Sequence, residues 1–268
     1  MLGAIIGDIA GSRFEWRNIK SKDFALFTKD CRMTDDSVMT LAIAQALADC
    51  GADPAGAEEA AVRRMQEFGR AWPKAGYGMR FFQWIFSEEP RPYNSYGNGA
   101  AMRVSPCAWA ADSLEKALEL ARRVTAVTHD HPEGIKGAEA TAAALWLARQ
   151  GAGKEEIRAH IKAHYYPLDF TLDSIRAAYR FDMTCQGSVP QALEAFLEAD
   201  YFEDAVRNAI SIGGDSDTIA AIAGSVAEAA FGIPDAIKAQ ALPFMEPRQI
   251  AVLEDFARAF PAAGTLPA

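Results

Sequence analysis

Cysteine is scarce in this sequence and forms no recognisable pattern. The four cysteines are widely spaced and include no C-x-x-C pair, which argues against a zinc motif and against a disulfide framework. Reduced thiols are the simplest interpretation, and we therefore expect a cytoplasmic protein. These residues are Cys31, Cys50, Cys107 and Cys185.

Long apolar runs and an excess of basic residues are also missing. No run approaches the length of a transmembrane helix. The apolar stretch at residues 1–11 is short, lacks a basic region and contains Asp8, so it does not match a secretory signal. Lys and Arg number 27 against 36 Asp and Glu, which gives a net charge of −9. We expect neither nucleic acid nor a membrane as the main partner.

Strand signals are absent, whereas helix signals recur along the chain. No segment alternates apolar and polar residues, but apolar residues repeat at helical spacing in many segments, including 113–127. The sequence predicts one compact all-α domain of about a dozen helices over residues 1–260. A C-terminal tail is expected at 261–268. The aromatic segment 72–97 is predicted to be turn-rich, and 181–188 to be a loop before a helix at 190–197.

The first predicted helix, residues 2–10, carries glycine every fourth residue. Gly3, Gly7 and Gly11 would lie on one side of this helix and present a smooth surface. This spacing predicts that another helix packs closely against it.

A cluster of oxygen donors precedes the small-residue apolar segment at 219–226. Asp215, Asp217 and Thr218 follow two glycines and stand where that helix would begin. Helix capping accounts for one Asp at such a position. Several hard oxygen donors together also suit Mg²⁺, Mn²⁺ or Ca²⁺.

A second acidic cluster, Thr34-Asp35-Asp36, precedes the predicted helix at 38–47. Adjacent carboxylates repel each other, and a divalent cation would relieve that repulsion. Together the two clusters offer six oxygen ligands, enough for one octahedral site or for two metal ions that share carboxylates.

Two further segments could contact a ligand. Gly97 and Gly99 flank Asn98, and backbone N–H groups at such a turn can bind a phosphate, although an ordinary tight turn has the same sequence. His129 and His131 lie in a polar turn and could bind a metal, donate hydrogen bonds to a ligand or serve a structural role. A few aromatic side chains of segment 72–97 could stack on a ligand ring, while most are expected to pack in the core.

Four segments, in this order, resemble the ADP-ribosylglycohydrolase family, which includes dinitrogenase reductase-activating glycohydrolases and ADP-ribosylarginine hydrolases. The resemblance extends from residue 2 to about residue 232, and the ordered set is more specific than any one segment. The segments are Gly7-Asp-Ile-Ala-Gly-Ser-Arg-Phe-Glu15, Thr34-Asp-Asp-Ser37, Gly97-Asn-Gly-Ala-Ala-Met-Arg103 with Thr128-His-Asp-His-Pro132, and Gly213-Gly-Asp-Ser-Asp-Thr218.

The resemblance implies an all-α fold with a central cleft lined by two Mg²⁺ or Mn²⁺ ions. It implies that Glu15 is an acidic residue beside the metals, and that Glu15 or Asp36 moves the proton. By position, the implied metal ligands are Thr34, Asp35, Asp36, Asp215, Asp217 and Thr218. The implied substrate-binding residues are Gly97, Asn98, Gly99, Ala100, Met102 and His129.

The implied reaction is hydrolysis at the anomeric carbon of ADP-ribose, with an ADP-ribosylated protein or a small ADP-ribose conjugate as the partner. ADP-ribosylarginine is the favoured substrate, and modified serine, poly-ADP-ribose and small esters remain open. Two other hypotheses stand beside this one: a two-metal phosphohydrolase that acts on the diphosphate, and a non-catalytic protein that binds ADP-ribose.

Overall fold

Every regular element in the computed structural model is helical over the residues it describes, 1–263. Short 3-10 turns occur at Asn98–Ala100, Leu242–Phe244 and Pro261–Ala263, and Gly97 forms an isolated bridge with Thr184. The all-α prediction is confirmed. The fourteen α-helices of this range are α1 (Leu2–Gly11), α2 (Asp35–Asp49), α3 (Pro54–Ala71), α4 (Met79–Phe86), α5 (Ser105–Ala110), α6 (Leu114–Ala126), α7 (Pro132–Arg149), α8 (Lys154–His164), α9 (Leu172–Arg176), α10 (Cys185–Leu197), α11 (Phe202–Ser211), α12 (Ser216–Phe231), α13 (Asp235–Ala241) and α14 (Pro247–Ala259).

Helix α12 lies at the centre of the molecule. Its residues 216–227 are all buried, and α1, α7, α10 and α11 pack around it. Small side chains along α12 allow these neighbours to approach closely. Among the described helices, none is both long enough and apolar enough to cross a membrane.

The glycine stripe of α1 lies directly against α12, as its spacing predicts. A Cβ atom at Gly7 would lie 2.0 Å from the Ala220 carbonyl oxygen, and one at Gly3 would lie 2.3 Å from that of Gly224. Such distances exclude any side chain, so only glycine permits this packing. The contact brings the C-terminal half of α1 beside the N-terminus of α12.

Three sequence predictions of local structure were wrong. Segment 72–97 contains α4, which buries Phe81, Trp84 and Ile85 although no capping side chain marks its start. Helix α10 begins at Cys185 rather than at 190, because the Thr184 side chain accepts a hydrogen bond from the Gly187 N–H group at 3.1 Å. The sequence also predicts a helix over residues 172–180, but helix α9 ends at Arg176.

The predicted tail overlaps the end of the described chain. Pro261–Ala263 forms a 3-10 turn, and residues 264–268 lie outside the described range. The domain boundary at residue 260 stays a prediction.

Candidate active site

The N-termini of α2 and α12 meet beside the C-terminal half of α1. One carboxylate oxygen from each of Asp8, Asp36 and Asp217 lies within 4.8 Å of the others, and the same holds for Glu15, Asp215 and Asp217. The Thr218 hydroxyl donates a hydrogen bond to Asp36 Oδ2 at 3.2 Å. The two acidic clusters, distant in sequence, therefore face each other across one site.

Asp8 is a member of this site that the sequence interpretation missed. Its carboxylate accepts hydrogen bonds from the Thr34 N–H group at 2.9 Å, from the Thr34 hydroxyl at 2.7 Å and from the Ser37 N–H group at 3.1 Å. The Ser37 hydroxyl donates a fourth. Asp8 is the one charged residue within α1, and a lone acid in an otherwise apolar helix is the signal that could have identified it.

Burial and mutual repulsion make this site unfavourable for several negative charges. Burial raises the pKa values of Asp8, Asp36 and Asp217, and neighbouring carboxylates raise those of Asp36 and Asp217 further. Burial, followed by the charge of Asp215, raises the pKa of Glu15 to about 7. Burial, followed by the charge of Asp8, raises the pKa of Asp35 to about 7.

The donor set fits a divalent cation. Asp36 Oδ1 is buried and has no hydrogen-bond partner within the described chain, although an isolated buried oxygen of this kind is costly. All candidate ligands are oxygen atoms, the donors that Mg²⁺, Mn²⁺ and Ca²⁺ prefer. A bound cation would contact such an oxygen and offset the repulsion among the carboxylates.

The remaining predicted ligands lie in the same region with different surroundings. Thr34 is the N-cap of α2, and its hydroxyl is 2.7 Å from Asp8 and 3.3 Å from Asp36. Asp35 lines the adjoining cleft near Gly76 and belongs to neither three-carboxylate cluster. Thr34 therefore acts as the cap of α2, and metal ligation by Thr34 and Asp35 stays a prediction.

The carboxylates other than Asp8 line a cleft of about 520 Å³, and most of the predicted substrate loop lines it too. Gly97, Asn98, Gly99 and Met102 line this cleft, whereas Ala100 is fully buried and is not among the described lining residues. The Asn98 side chain donates to Asp215 Oδ2 at 2.7 Å and to Ser188 at 3.1 Å. Asn98 therefore fixes the loop to the acidic cluster.

Most backbone N–H groups of this loop already donate within the protein. The Gly97 N–H group donates to the Ser95 hydroxyl, and the Asn98 N–H group donates to the Met183 carbonyl. The Ala100 N–H group donates to the Gly97 carbonyl, and the N–H groups of residues 101 and 102 donate to the Asn98 carbonyl. The Gly99 N–H group donates no hydrogen bond within the described chain. A phosphate on this loop would therefore be held by few amides, and the loop's ligand role stays a prediction.

His129 lines the same cleft, and its ring is held by neighbouring side chains. Its Nδ1 atom lies 2.7 Å from the Thr128 hydroxyl, which accepts a hydrogen bond from Arg103 at 2.7 Å. Burial, and then the charge of Arg103, lower the pKa of His129 well below its usual value, so the ring is neutral. His131 instead caps α7 by accepting a hydrogen bond from the Glu133 N–H group. Of the three roles considered for this histidine from the sequence, the contact is a structural one.

Arg103 is a buried cation that lines the cleft. It is 1% exposed, and its guanidinium group donates a hydrogen bond to the Thr128 hydroxyl rather than to a carboxylate. Burial lowers its pKa to about 10. Arg80, which lies over the Tyr93 ring at 4.7 Å, also lines the cleft. Two arginines near His129 and a group of carboxylates therefore line the same cleft.

Fold and site together define an all-α protein with a cluster of oxygen donors that could hold a metal ion beside a ligand-sized cleft. Residues 1–264 match the protein-family model for ADP-ribosylglycohydrolase, and the chain belongs to this family. Family members are glycosidase-type hydrolases, and this chain is therefore an enzyme of that type.

Several relatives support the assignment over most of the chain. ADP-ribosylhydrolase ARH3 of Xenopus tropicalis is 27% identical, covering 87% of this chain and 86% of the relative. ADP-ribosylarginine hydrolase Tri1 of Pseudomonas putida is 28% identical over 87% of this chain and 70% of its own. The ADP-ribosyl-(dinitrogen reductase) glycohydrolase of Rhodospirillum rubrum is 30% identical over 77% and 71%.

A solved structure supports the fold. A chain of an ADP-ribosylglycohydrolase-related protein complex superposes with a TM-score of 0.66 at 24% identity, covering 98% of this chain and 93% of the other. The family resemblance and the all-α architecture predicted from sequence are thus both confirmed.

Proposed function

We propose that the protein is a divalent-metal-dependent hydrolase that removes ADP-ribose from a modified side chain by cleaving the bond at the anomeric ribose carbon. The observation that carries this proposal is the convergence of Asp36, Asp215 and Asp217 with Glu15 at the base of the cleft. The names of the relatives, all ADP-ribosyl hydrolases, support ADP-ribose as the group removed. ADP-ribosylarginine is the favoured conjugate, and the substrate is either an ADP-ribosylated protein or a small ADP-ribose conjugate.

Two Mg²⁺ or Mn²⁺ ions are the proposed cofactors. The residues that would hold them are Asp36, Asp215, Asp217 and Thr218, with Thr34 and Asp35 as further candidates. Asp8 lies in the same cluster, but its carboxylate already accepts hydrogen bonds from Thr34 and Ser37. When bound, such ions lower the pKa of a coordinated water and orient the sugar hydroxyls.

Glu15 is the proposed acid–base residue. Its pKa of about 7 means that it exchanges a proton readily near neutral pH, which is the property that general acid–base catalysis needs. Asp36 is the alternative, but its hydrogen bond from Thr218 and its deeper burial favour a ligand role. Cleavage of a glycosidic bond develops positive charge at the anomeric carbon, and the surrounding carboxylates would stabilise that charge.

The substrate loop and His129 are proposed to hold the rest of ADP-ribose. Gly97, Asn98, Gly99 and Met102 border the cleft, while Ala100 of the same loop is buried. Neutral His129 can exchange hydrogen bonds with a ligand without adding charge. We infer a cytoplasmic setting from the four cysteines, all of which are free in the described structure.

The decisive experiment is a panel of ADP-ribosylated arginine, serine and ester substrates, each assayed with Mg²⁺, with Mn²⁺ and with EDTA. We expect intact ADP-ribose as product, metal dependence, and loss of at least about 100-fold in kcat for Asp215→Asn. Circular dichroism of the variant controls for folding. Formation of AMP would instead identify a phosphohydrolase, and ADP-ribose binding without turnover would identify a non-catalytic protein. Undiminished turnover in EDTA would disprove the metal requirement.

A further inference from the structure

Two aromatic side chains stack at the cleft beside the carboxylates. The ring centroids of Trp16 and Phe181 are 5.1 Å apart with an interplanar angle of 20°. Trp16 remains 74% exposed and Phe181 37% exposed, and both line the cleft. Because a large exposed apolar surface adds little to folding, an exposed pair next to Glu15 indicates a contact surface for a ligand.

The backbone that carries this pair is anchored on both sides. In the segment between α1 and α2, the Asn18 side chain accepts a hydrogen bond from the Gly214 N–H group at 2.8 Å and donates to the Gly214 carbonyl at 2.9 Å. Lys20 donates to the Tyr179 carbonyl at 2.8 Å, two residues before Phe181. These bonds fix the backbone near both rings before a ligand binds, which reduces the entropy that binding must overcome.

The charged residues of the cleft offer separate contacts for the two parts of an ADP-ribose conjugate. Arg80 and Arg103 lie close to His129, and a diphosphate is attracted to these cations. Glu15, which directly precedes Trp16, belongs to one group of carboxylates with Asp215 and Asp217. The anomeric bond would then lie at the carboxylates, and the group attached to it would extend towards Trp16.

We propose that Trp16 and Phe181 form the binding subsite for the modified side chain and select a planar cation, the guanidinium group of ADP-ribosylarginine. This inference rests on the proposed function. A guanidinium group is planar, delocalised and weakly hydrated, and it stacks on aromatic faces, with Trp the best partner. A serine or ester conjugate offers no such group. The adjacent Glu15 carboxylate adds attraction for a cation.

Binding measurements on a Glu15→Gln protein, which is designed to stop turnover, test the subsite. Calorimetry would compare ADP-ribosylarginine, ADP-ribosylserine and ADP-ribose with the metal present. Trp16→Ala should weaken binding of the arginine conjugate about 3- to 30-fold and affect the other two ligands much less. Trp16→Phe should recover part of the loss. In the active protein, which keeps Glu15, Trp16→Ala should raise KM for the arginine conjugate more than it lowers kcat.

The chain offers a matched control. Phe82 and Phe86 on α4 form another exposed pair, with centroids 5.0 Å apart, and neither lines the cleft. Phe86→Ala should therefore leave binding of all three ligands unchanged.

Two results would overturn the subsite. One is an arginine conjugate that binds no tighter than ADP-ribose when Trp16 is present. The other is an equal loss for all three ligands in Trp16→Ala, which would assign the pair a general role at the cleft entrance. Failure of the proposed function looks different, because wild-type protein would then release ADP-ribose from no conjugate, whereas the binding comparison would still test the subsite.

Discussion

Asp8 and Asp36 are both buried carboxylates, but their hydrogen bonding differs. Asp8 accepts four hydrogen bonds from the backbone and hydroxyl groups of Thr34 and Ser37. Asp36 Oδ1 accepts none within the described chain. Because satisfied buried groups stabilise and unsatisfied ones destabilise, we infer that Asp8 holds α1 to α2 while Asp36 is retained for its function.

Replacing Asp36 should stabilise the metal-free protein. Asp36→Asn removes a buried carboxylate that Asp8, Asp35 and Asp215 repel, and the neutral amide can still accept the Thr218 hydrogen bond. We expect the free energy of unfolding in EDTA to rise by about 1 kcal/mol, or roughly 3 °C in Tm. Added Mn²⁺ should stabilise the variant much less than the wild type. Thermal melts with and without metal measure both effects.

Asp8→Asn should have the opposite effect and destabilise the metal-free protein. An amide oxygen can replace only part of the acceptor capacity, and its NH₂ group would face a donor. We expect a loss of about 2 kcal/mol whether or not metal is present. If Asp8→Asn and Asp36→Asn changed the metal-free Tm in the same direction, the functional distinction between them would be wrong.

Residue types alone indicated most of the candidate site, but not how its members are connected. The acidic clusters were recognisable because Asp35, Asp36, Asp215 and Asp217 crowd two helix starts. The hydrogen bond from Asn98 to Asp215 joins segments that are distant in the sequence, and no local sequence pattern predicts it. The same is true of Phe181, which lies near Trp16 only in the folded chain.

At the scale of elements, the contact between α1 and α12 sets the geometry of the site. Gly11 lies against Asp217, where a Cβ would come within 2.6 Å of the Asp217 Cα atom. Asp8 is carried by the same helix, so any separation of α1 from α12 would also separate Asp8 from Asp217. A change in the packing of α1 against α12 would therefore also change the spacing of the carboxylates.

Gly7→Ala tests this coupling. The added methyl group would meet the Ala220 carbonyl oxygen at 2.0 Å, and the backbone must move to relieve the clash. We expect a loss of about 2–4 kcal/mol in unfolding free energy and weaker metal binding in the fraction that folds. Gly56→Ala in α3 is the control, because its methyl group would meet only Cys50 Cβ, at 3.3 Å. A control change within about 1 kcal/mol is expected. Unchanged metal affinity in folded Gly7→Ala would contradict the coupling.

Helix boundaries were predictable where side chains cap them and not elsewhere. Asp53 with Pro54 begins α3 and Ser113 begins α6, and both signals are visible in the sequence. Helix α4 has no capping side chain, and its stability comes from burial of Phe81 and Trp84. At α10 the Thr184 cap decides the start, whereas Pro190 suggested a later one. Tertiary packing and competing signals thus account for the errors.

At the scale of the whole molecule, the helical class followed from periodicity, but the arrangement of the helices did not. The spacing of apolar residues does not predict that α2 and α12 place their N-termini together. The oxygen donors at both helix starts suggested this, and the family resemblance implied it. Nor does composition explain the cleft: the net charge is −9, yet several carboxylates are gathered at one site in a cleft that the buried cation Arg103 also lines.

This concentration of charge predicts how stability depends on pH and metal. Glu15 and Asp35 have folded pKa values of about 7, against ordinary values of 4.5 and 3.8. Between the ordinary and the raised pKa values, the unfolded chain has lost protons that the folded protein retains. The metal-free protein should therefore lose stability as pH rises from about 4 to about 7, and level off above that range.

Metal should reverse this trend, because divalent cations bind the deprotonated carboxylates and affinity rises as protons leave. Thermal melts in EDTA and in excess Mn²⁺, across about pH 4 to 8, measure both trends, and their difference should widen with pH. A Glu15→Gln variant should show a shallower decline in EDTA, since one of the titrating groups is gone. A metal-free protein whose Tm rises steadily over the same interval would show that the carboxylates are already ionised and paired in the fold, and the proposed cation site would lose its electrostatic basis.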